Sequence, residues 1–227
     1  MTEEVEKKGR EADAQLREIY DLRVYVVGGG FQYSQMFFEA GFKGARNVQD
    51  ADIVCFTGGS DVDPSFYGED PIPGTNFNTA RDQNEAGIFG EALALKKPMV
   101  GVCRGAQFLN VMNGGKLWQD VNNHAIHGTH DITDLRDGKV IEGMTSTHHQ
   151  MMKPADDADI IAVACLATRK KCDGVTEERS IPDNDDVEVV WYPGTQCLCF
   201  QPHPEFQHGA CRDYFLDLVD NYVMPAC

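Results

Sequence analysis

The chain has 227 residues, of which 42% are hydrophobic and 9% aromatic, enough to bury a full core in one domain without disulfide staples. Against 20 Lys and Arg stand 36 Asp and Glu, a formal net charge of −16. That balance argues against nucleic acid or anionic lipid as a partner, because phosphate binding needs a basic patch.

Residues 1–20 are highly charged, with Gly9 their only glycine or proline, and read as an N-terminal extension, helical or disordered. They hold no signal-peptide-like apolar stretch, and no later window is apolar enough to span a bilayer. A soluble, cytoplasmic protein is expected, with a single domain over 21–227. Leu22 to Val27 reads as a buried strand ending in Gly28-Gly29-Gly30. Ser34 to Ala40 suits a short helix, capped by Ser34 and stopped by Gly41. Asp52 to Thr57 is a second strand, again ending in glycines, Gly58 and Gly59. Ala80 to Lys97 has helical periodicity until Pro98; Met99 to Val102 is a third strand, followed at once by a helix over Arg104–Met112. Val187–Tyr192 and Gln196–Gln201 form a hairpin around Pro193-Gly194. A final amphipathic helix runs from Ala210 to Val223. This alternation implies an α/β fold, a mainly parallel sheet with helices on both faces and its site at the carboxyl ends of the strands.

Eight cysteines are present, but Cys55, Cys165, Cys197 and Cys199 sit in apolar runs, where a free thiol acts as a small hydrophobe. Cys103 differs. Gly101-Val102-Cys103-Arg104-Gly105 has the form G-x-Cys-x-G between a strand and a helix, a nucleophile elbow with Cys in place of Ser. The turn points the sulfur out of the sheet beside a helix N-terminus, which favours a thiolate. Such a nucleophile needs a base and a group to orient that base. His203-Pro204-Glu205, just after a strand, supplies both within three residues. Gly58 and Gly59, free of Cβ atoms, suit an oxyanion hole, with the Arg104 amide as second donor.

These motifs carry a resemblance. TGGSDVDPSFYGE (57–69), the Arg-Asp of TARDQNE (79–85), GVCRGAQFLNVMNGGKLWQDV (101–121), STHHQ (146–150) and FQPHPE (200–205) resemble, in order, the class I glutamine amidotransferase-like superfamily. Within it the likeness is to γ-glutamyl hydrolases of the peptidase C26 type, above all γ-glutamyl-γ-aminobutyrate hydrolases. The resemblance implies a flavodoxin-like fold and a Cys103, His203, Glu205 triad acting through a γ-glutamyl thioester. It further implies oxyanion donors at Gly59 and Arg104 and glutamyl contacts from Gly58, Gln107, Ser146, Thr147 and His148. No metal or cofactor is implied. The expected partners are a small γ-glutamyl substrate or glutamine, a separate synthetase or ligase if the chain is instead a glutaminase subunit, and a second copy if it dimerises. A non-catalytic sensor is a third reading, opposed by the complete triad. Family members usually carry Asn where this chain has Thr145, and the stretch between Asp120 and His148 is short.

Other features read as structural. His124, His127 and His130 would spread too widely around a helix for one ion, and Gly128 argues against a helix there; a pair of them with a Cys or a carboxylate could bind zinc, but polar residues on a loop over the site are the expectation. Gly28-Gly29-Gly30 fails the dinucleotide fingerprint because Tyr33 stands at its third glycine. Arg81-Asp82 is expected to fix the loop beside the oxyanion strand. Asp61/Asp63, Asp156/Asp157/Asp159 and Asp183/Asp185/Asp186 read as solvated loops, although an amine leaving group would be attracted by Asp61 or Asp63.

Overall fold

A computed structural model describes residues 21–164, 166, 168–171, 179–181, 186–206 and 208–227. The charged residues 1–20, with Cys165, Asp183 and Asp185, lie outside them. In chain order come β1 (Arg23–Val27), α1 (Phe31–Glu39), β2 (Lys43–Gly44), β3 (Ile53–Phe56) and a 3-10 turn at Pro64–Tyr67. Next are α2 (Thr79–Ala94), β4 (Met99–Val102), α3 (Arg104–Met112), β5 (Lys116–Trp118), β6 (Asp120–Val121), β7 (Ala125–Asp134) and β8 (Val140–Thr147). Then follow β9 (Met151–Lys153), β10 (Asp159–Ala164), β11 (Thr168–Lys171), β12 (Arg179–Ile181), β13 (Asp186–Tyr192), β14 (Cys197–Phe200) and α4 (Ala210–Leu218).

Nine strands form one sheet in the order β2-β1-β3-β4-β14-β13-β10-β7-β8. From β2 to β14 every pairing is parallel; from β14 to β8 every pairing is antiparallel. The parallel strands β3, β4 and β14 are apolar runs buried along their whole length, as a sheet covered on both sides requires. On one face Phe37 of α1 and Tyr214 and Phe215 of α4 pack against Val100, Val102 and Phe200. On the other, Phe89 of α2 and Phe108 and Leu109 of α3 pack against Val54, Phe56 and Cys199. The α/β class expected from the sequence is the one observed.

Local differences have local causes. α1 starts at Phe31 rather than Ser34, because Gly30 at φ +139° turns the chain directly into the helix and Ser34 already donates its N–H to the Gly30 carbonyl. α2 is capped by Asn78, whose side chain accepts the Arg81 N–H. The last helix leaves α geometry at Leu218 and continues as a π-helical turn over Val219–Val223. Asp61, Asp63 and Asp186 are buried rather than solvated. Asp63 accepts the Thr79 hydroxyl and the Ser65 N–H, and Asp61 accepts the Asn76 N–H. Asp156, Asp157 and Asp159 are exposed, as expected. His124 and His130 are not on a polar loop: His124 directly precedes β7, His130 lies within it, and both rings are buried. No described helix is long and apolar enough to cross a membrane.

Phe215 is fully buried, with ring centroids 6.1 Å from Phe37 and 5.2 Å from Phe200. Phe215→Ala is expected to lower the unfolding free energy by about 3–5 kcal/mol. Urea denaturation reads this, and a loss too small to resolve would contradict the packing described.

Candidate active site

β4 ends at Val102, and the chain reverses into α3 through a single residue, Cys103, held at φ +52° and ψ −111°. This conformation is uncommon for any residue with a side chain. Two glycines make it possible. A Cβ on Gly101 would lie 2.4 Å from the Gly105 carbonyl oxygen, and one on Gly105 would lie 2.1 Å from that of Phe56. Helix and strand therefore approach more closely than any side chain allows. Cys103 donates its N–H to the Phe200 carbonyl at 2.9 Å, which fixes the elbow against the end of β14.

Because β14 pairs in parallel with β4, the chain beyond Phe200 emerges beside Cys103. His203 and Glu205 lie in that extension. Glu205 Oε1 is 2.7 Å from His203 Nδ1, and the Phe206 ring stacks on the imidazole at 4.2 Å with 5° between planes. The Thr145 hydroxyl accepts the His203 N–H. A Cβ placed on Gly58 would lie 3.1 Å from His203 Cε1 and 3.6 Å from Cys103 Cβ, so the three residues converge. Burial works against charge on His203, but its hydrogen bonds to Cys103 and Glu205 outweigh that and push its pKa up to about 10.

Sequence reasoning missed Tyr33, noticed only as an absent glycine. Its hydroxyl accepts the Gly58 N–H at 3.0 Å. Burial and the nearby Glu205 carboxylate hold its proton on. Tyr33 thus ties β1's glycine turn to both Gly58 at the end of β3 and the Glu205 carboxylate. An aromatic residue one turn past a glycine-ended strand was the available signal.

Behind the Thr57–Asp63 segment lies a set of buried charges. Arg81 donates through Nη2 to the carbonyls of Thr57 (3.0 Å) and Gly58 (3.2 Å), and through Nε to Glu85 (2.8 Å). The Arg104 guanidinium pairs with Asp82 and Glu85, and Asp82 accepts the Asp63 N–H. Gly59 sits at φ +144°, and a Cβ there would strike Arg81 Nη1 at 2.3 Å. The Arg-Asp pair therefore holds the loop from α2, as its position in the sequence implied. Arg104 lends both its amide to the start of α3 and its side chain to this clamp.

A cleft of 170 Å³ opens over Cys103, lined by Gly59, Asp61, Gln107, Thr147 and His148 among others. Gln107 donates through Nε2 to the Gln150 carbonyl (2.9 Å) and to Gln201 (3.2 Å), anchoring the far wall to the sheet. His149 reaches across to Asp61 at 3.0 Å. Ser146 does not line the cleft: it is fully buried, and its hydroxyl donates to the His124 carbonyl at 2.6 Å. Gly58 spends its N–H on Tyr33 and faces the triad instead.

The family model described as Peptidase C26 matches residues 43–205. The chain belongs to the peptidase C26 family. It is 31% identical over 183 residues to NtpR of Enterococcus hirae, covering 72% of this chain and 70% of that one. Against YvdE of Lactococcus lactis it is 32% identical over 161 residues, 63% of this chain and 65% of the relative, and it spans 49% of a Mycobacterium tuberculosis relative. The crystal structure of a glutamine amidotransferase from Thermotoga maritima superposes with a TM-score of 0.58 at 13% identity, covering 90% of each chain. That likeness places the peptidase C26 chain in the class I glutamine amidotransferase-like fold.

Gly105→Ala is expected to destabilise the protein by at least about 1–3 kcal/mol, since the clash is with backbone; wild-type stability by chemical denaturation would refute the close approach. The raised His203 pKa also sets a pH dependence. Its contribution is complete below the unfolded value of 6.5 and is lost as pH rises through about 10. Denaturation curves across that window should show the advantage of wild type over His203→Gln shrinking as pH rises; a constant difference would contradict the pairing.

Proposed function

We propose that the chain hydrolyses γ-glutamyl amide bonds through a thioester on Cys103. The observation that carries this is the convergence of Cys103, His203 and Glu205 at the ends of two adjacent strands beneath a small polar cleft. Cys103 Sγ attacks the γ-carbonyl carbon of the substrate while His203 takes the thiol proton. The amide N–H groups of Gly59 and Arg104 stabilise the oxyanion, with Arg81 and the Arg104 side chain keeping that loop rigid. As the C–N bond breaks, His203 returns its proton to the leaving nitrogen, so a neutral amine departs and a γ-glutamyl thioester remains. A water molecule, deprotonated by His203, then attacks the thioester and releases glutamate and the thiol. Glu205 orients the imidazole and stabilises its charged form.

Gln107, Thr147 and His148 line the side of the cleft suited to the α-amino and α-carboxylate groups of the glutamyl moiety, and Asp61 on the same cleft would attract the departed amine once it takes up a proton from water. Ser146 acts one step back, holding the segment that bears Thr147 and His148.

The test is turnover of a panel of γ-glutamyl amines and glutamine by the purified chain alone. Hydrolysis of γ-glutamyl amines is expected. Turnover of glutamine only, rising when a synthetase is added, would overturn the proposal and mark a glutaminase subunit. Cys103→Ala should lower kcat by about 10³-fold or more. Glu205→Gln should lower it by on the order of 10⁴-fold with a small change in KM, because the imidazole loses its orienting charge. Full activity in either variant would sink the mechanism.

A further inference from the structure

On the antiparallel half of the sheet, three histidines converge on one carboxylate that the proposed reaction does not use. Glu188 lies within β13, fully buried in a strand otherwise rich in valine. Its Oε1 is 3.3 Å from His124 Nδ1, 3.2 Å from His130 Nε2 and 3.5 Å from His148 Nε2. None of these approaches has hydrogen-bond geometry. All three nitrogens and both Glu188 oxygens are buried without a hydrogen-bond partner. Buried polar atoms are seldom left so, and here four of them, the three nitrogens and Glu188 Oε1, converge.

The outer side of the cluster explains which way the lone pairs point. His148 Nδ1 is 2.9 Å from the Gln150 carbonyl, which can only accept, so Nδ1 carries the proton and Nε2 turns a lone pair inward. His124 Nε2 is 3.0 Å from Asp186 Oδ2, so in a neutral ring Nδ1 likewise points its lone pair at Glu188. Lone pairs facing a carboxylate repel unless a cation stands between them. The Gln150 carbonyl behind His148 and the Asp186 carboxylate behind His124 are also the outer arrangement that orients histidine ligands.

We propose that His124 Nδ1, His130 Nε2, His148 Nε2 and Glu188 Oε1 form a closed tetrahedral site for a divalent transition-metal ion, zinc being the best fit. Ligands at usual Zn–N and Zn–O distances stand about 3.3–3.4 Å apart, and the three separations from Glu188 Oε1 bracket that value. The ligand atoms of His124, His130 and Glu188 all lie within 4.8 Å of one another; His148 stands outside that set, 3.5 Å from Glu188 Oε1, and its ring has to turn further inward to complete the tetrahedron. Three imidazoles and one carboxylate are a borderline-soft donor set that suits zinc. A dication is also neutralised by Glu188 and Asp186 together, leaving no net charge in the interior.

With four protein ligands no position is open to water, so the ion is structural. Its place gives it a job. His148 lines the cleft and is also a ligand, while Ser146 is bonded to the carbonyl of His124. The ion therefore pins the cleft segment around Thr147 to β7 and β13.

The experiment uses untagged Cys103→Ala protein, which removes the Cys103–His203 pair as a rival zinc site. Elemental analysis after growth with zinc and exhaustive dialysis should find about one zinc per chain. His130→Ala and Glu188→Gln should each lower that content at least about tenfold. Stripping with a chelator should lower the melting temperature, zinc should restore it in a concentration-dependent way, and cobalt should give the visible bands of a tetrahedral centre. If the histidine variants do not fold, the stripped and refilled chain decides. Zinc far below one per chain, with no response of the melting temperature to zinc or cobalt, would overturn the site and leave protonated histidines as the counter-ions of the two carboxylates.

Discussion

The contact between Gly105 and the Phe56 carbonyl sets the geometry on which the rest of the site depends. It lets α3 lie on β3 at a separation no alanine permits, and so forces the single residue between β4 and α3 into a left-handed conformation. Cys103 is thereby held at a fixed place at the end of β4. The residues that meet it are then arranged around that point. The segment bearing Gly58 and Gly59 leaves the neighbouring strand β3, and the segment bearing His203 leaves the other neighbour, β14.

The sheet divides its labour. Its parallel half, bounded by α1 to α4, supplies Cys103, the segment bearing Gly58 and Gly59, and His203 with Glu205. Its antiparallel half supplies the opposite wall of the cleft through the segment after β8. Two kinds of glue match the two halves. Apolar packing holds the parallel strands, whereas the cleft wall hangs on polar ties from Gln107, Ser146 and the histidine cluster. The buried Arg104–Asp82–Glu85 set ties α2 to α3 behind the Thr57–Asp63 segment, and removing one member would leave an uncompensated charge in the interior.

The parallel half was legible in the sequence because its signals are local: apolar runs ending in glycine, a Pro98 stop, an elbow of five residues. Even α3 keeps the limits its pattern implies. The strands over 116–181 were not legible, since His, Thr, Asp and Lys alternate there without an apolar rhythm, and their pairing is fixed by partners far along the chain. Tyr33 escaped for the same reason: its hydroxyl matters only because Gly58 and Glu205 arrive from elsewhere. Asp186 reads as part of an acidic solvated loop and Glu188 as one polar position in a hairpin strand, and only the fold reveals that β13 runs through the middle of the sheet. His124 and His130 were weighed at helical spacing, whereas an even separation on a strand tends to put two side chains on one face.

The pairing of β4 with β14 has a consequence for how such a chain can vary. Cys103 and His203 are far apart in sequence, yet their separation in space is set by one rung of a backbone ladder, Val102 opposite Phe200. The intervening polypeptide runs out from that rung and back to it. Its connecting loops can be lengthened or shortened without displacing either residue, provided β4 and β14 still pair and Thr145 still takes the His203 N–H. The far wall of the cleft is thus free to drift while the two residues at the end of the rung stay mechanically locked.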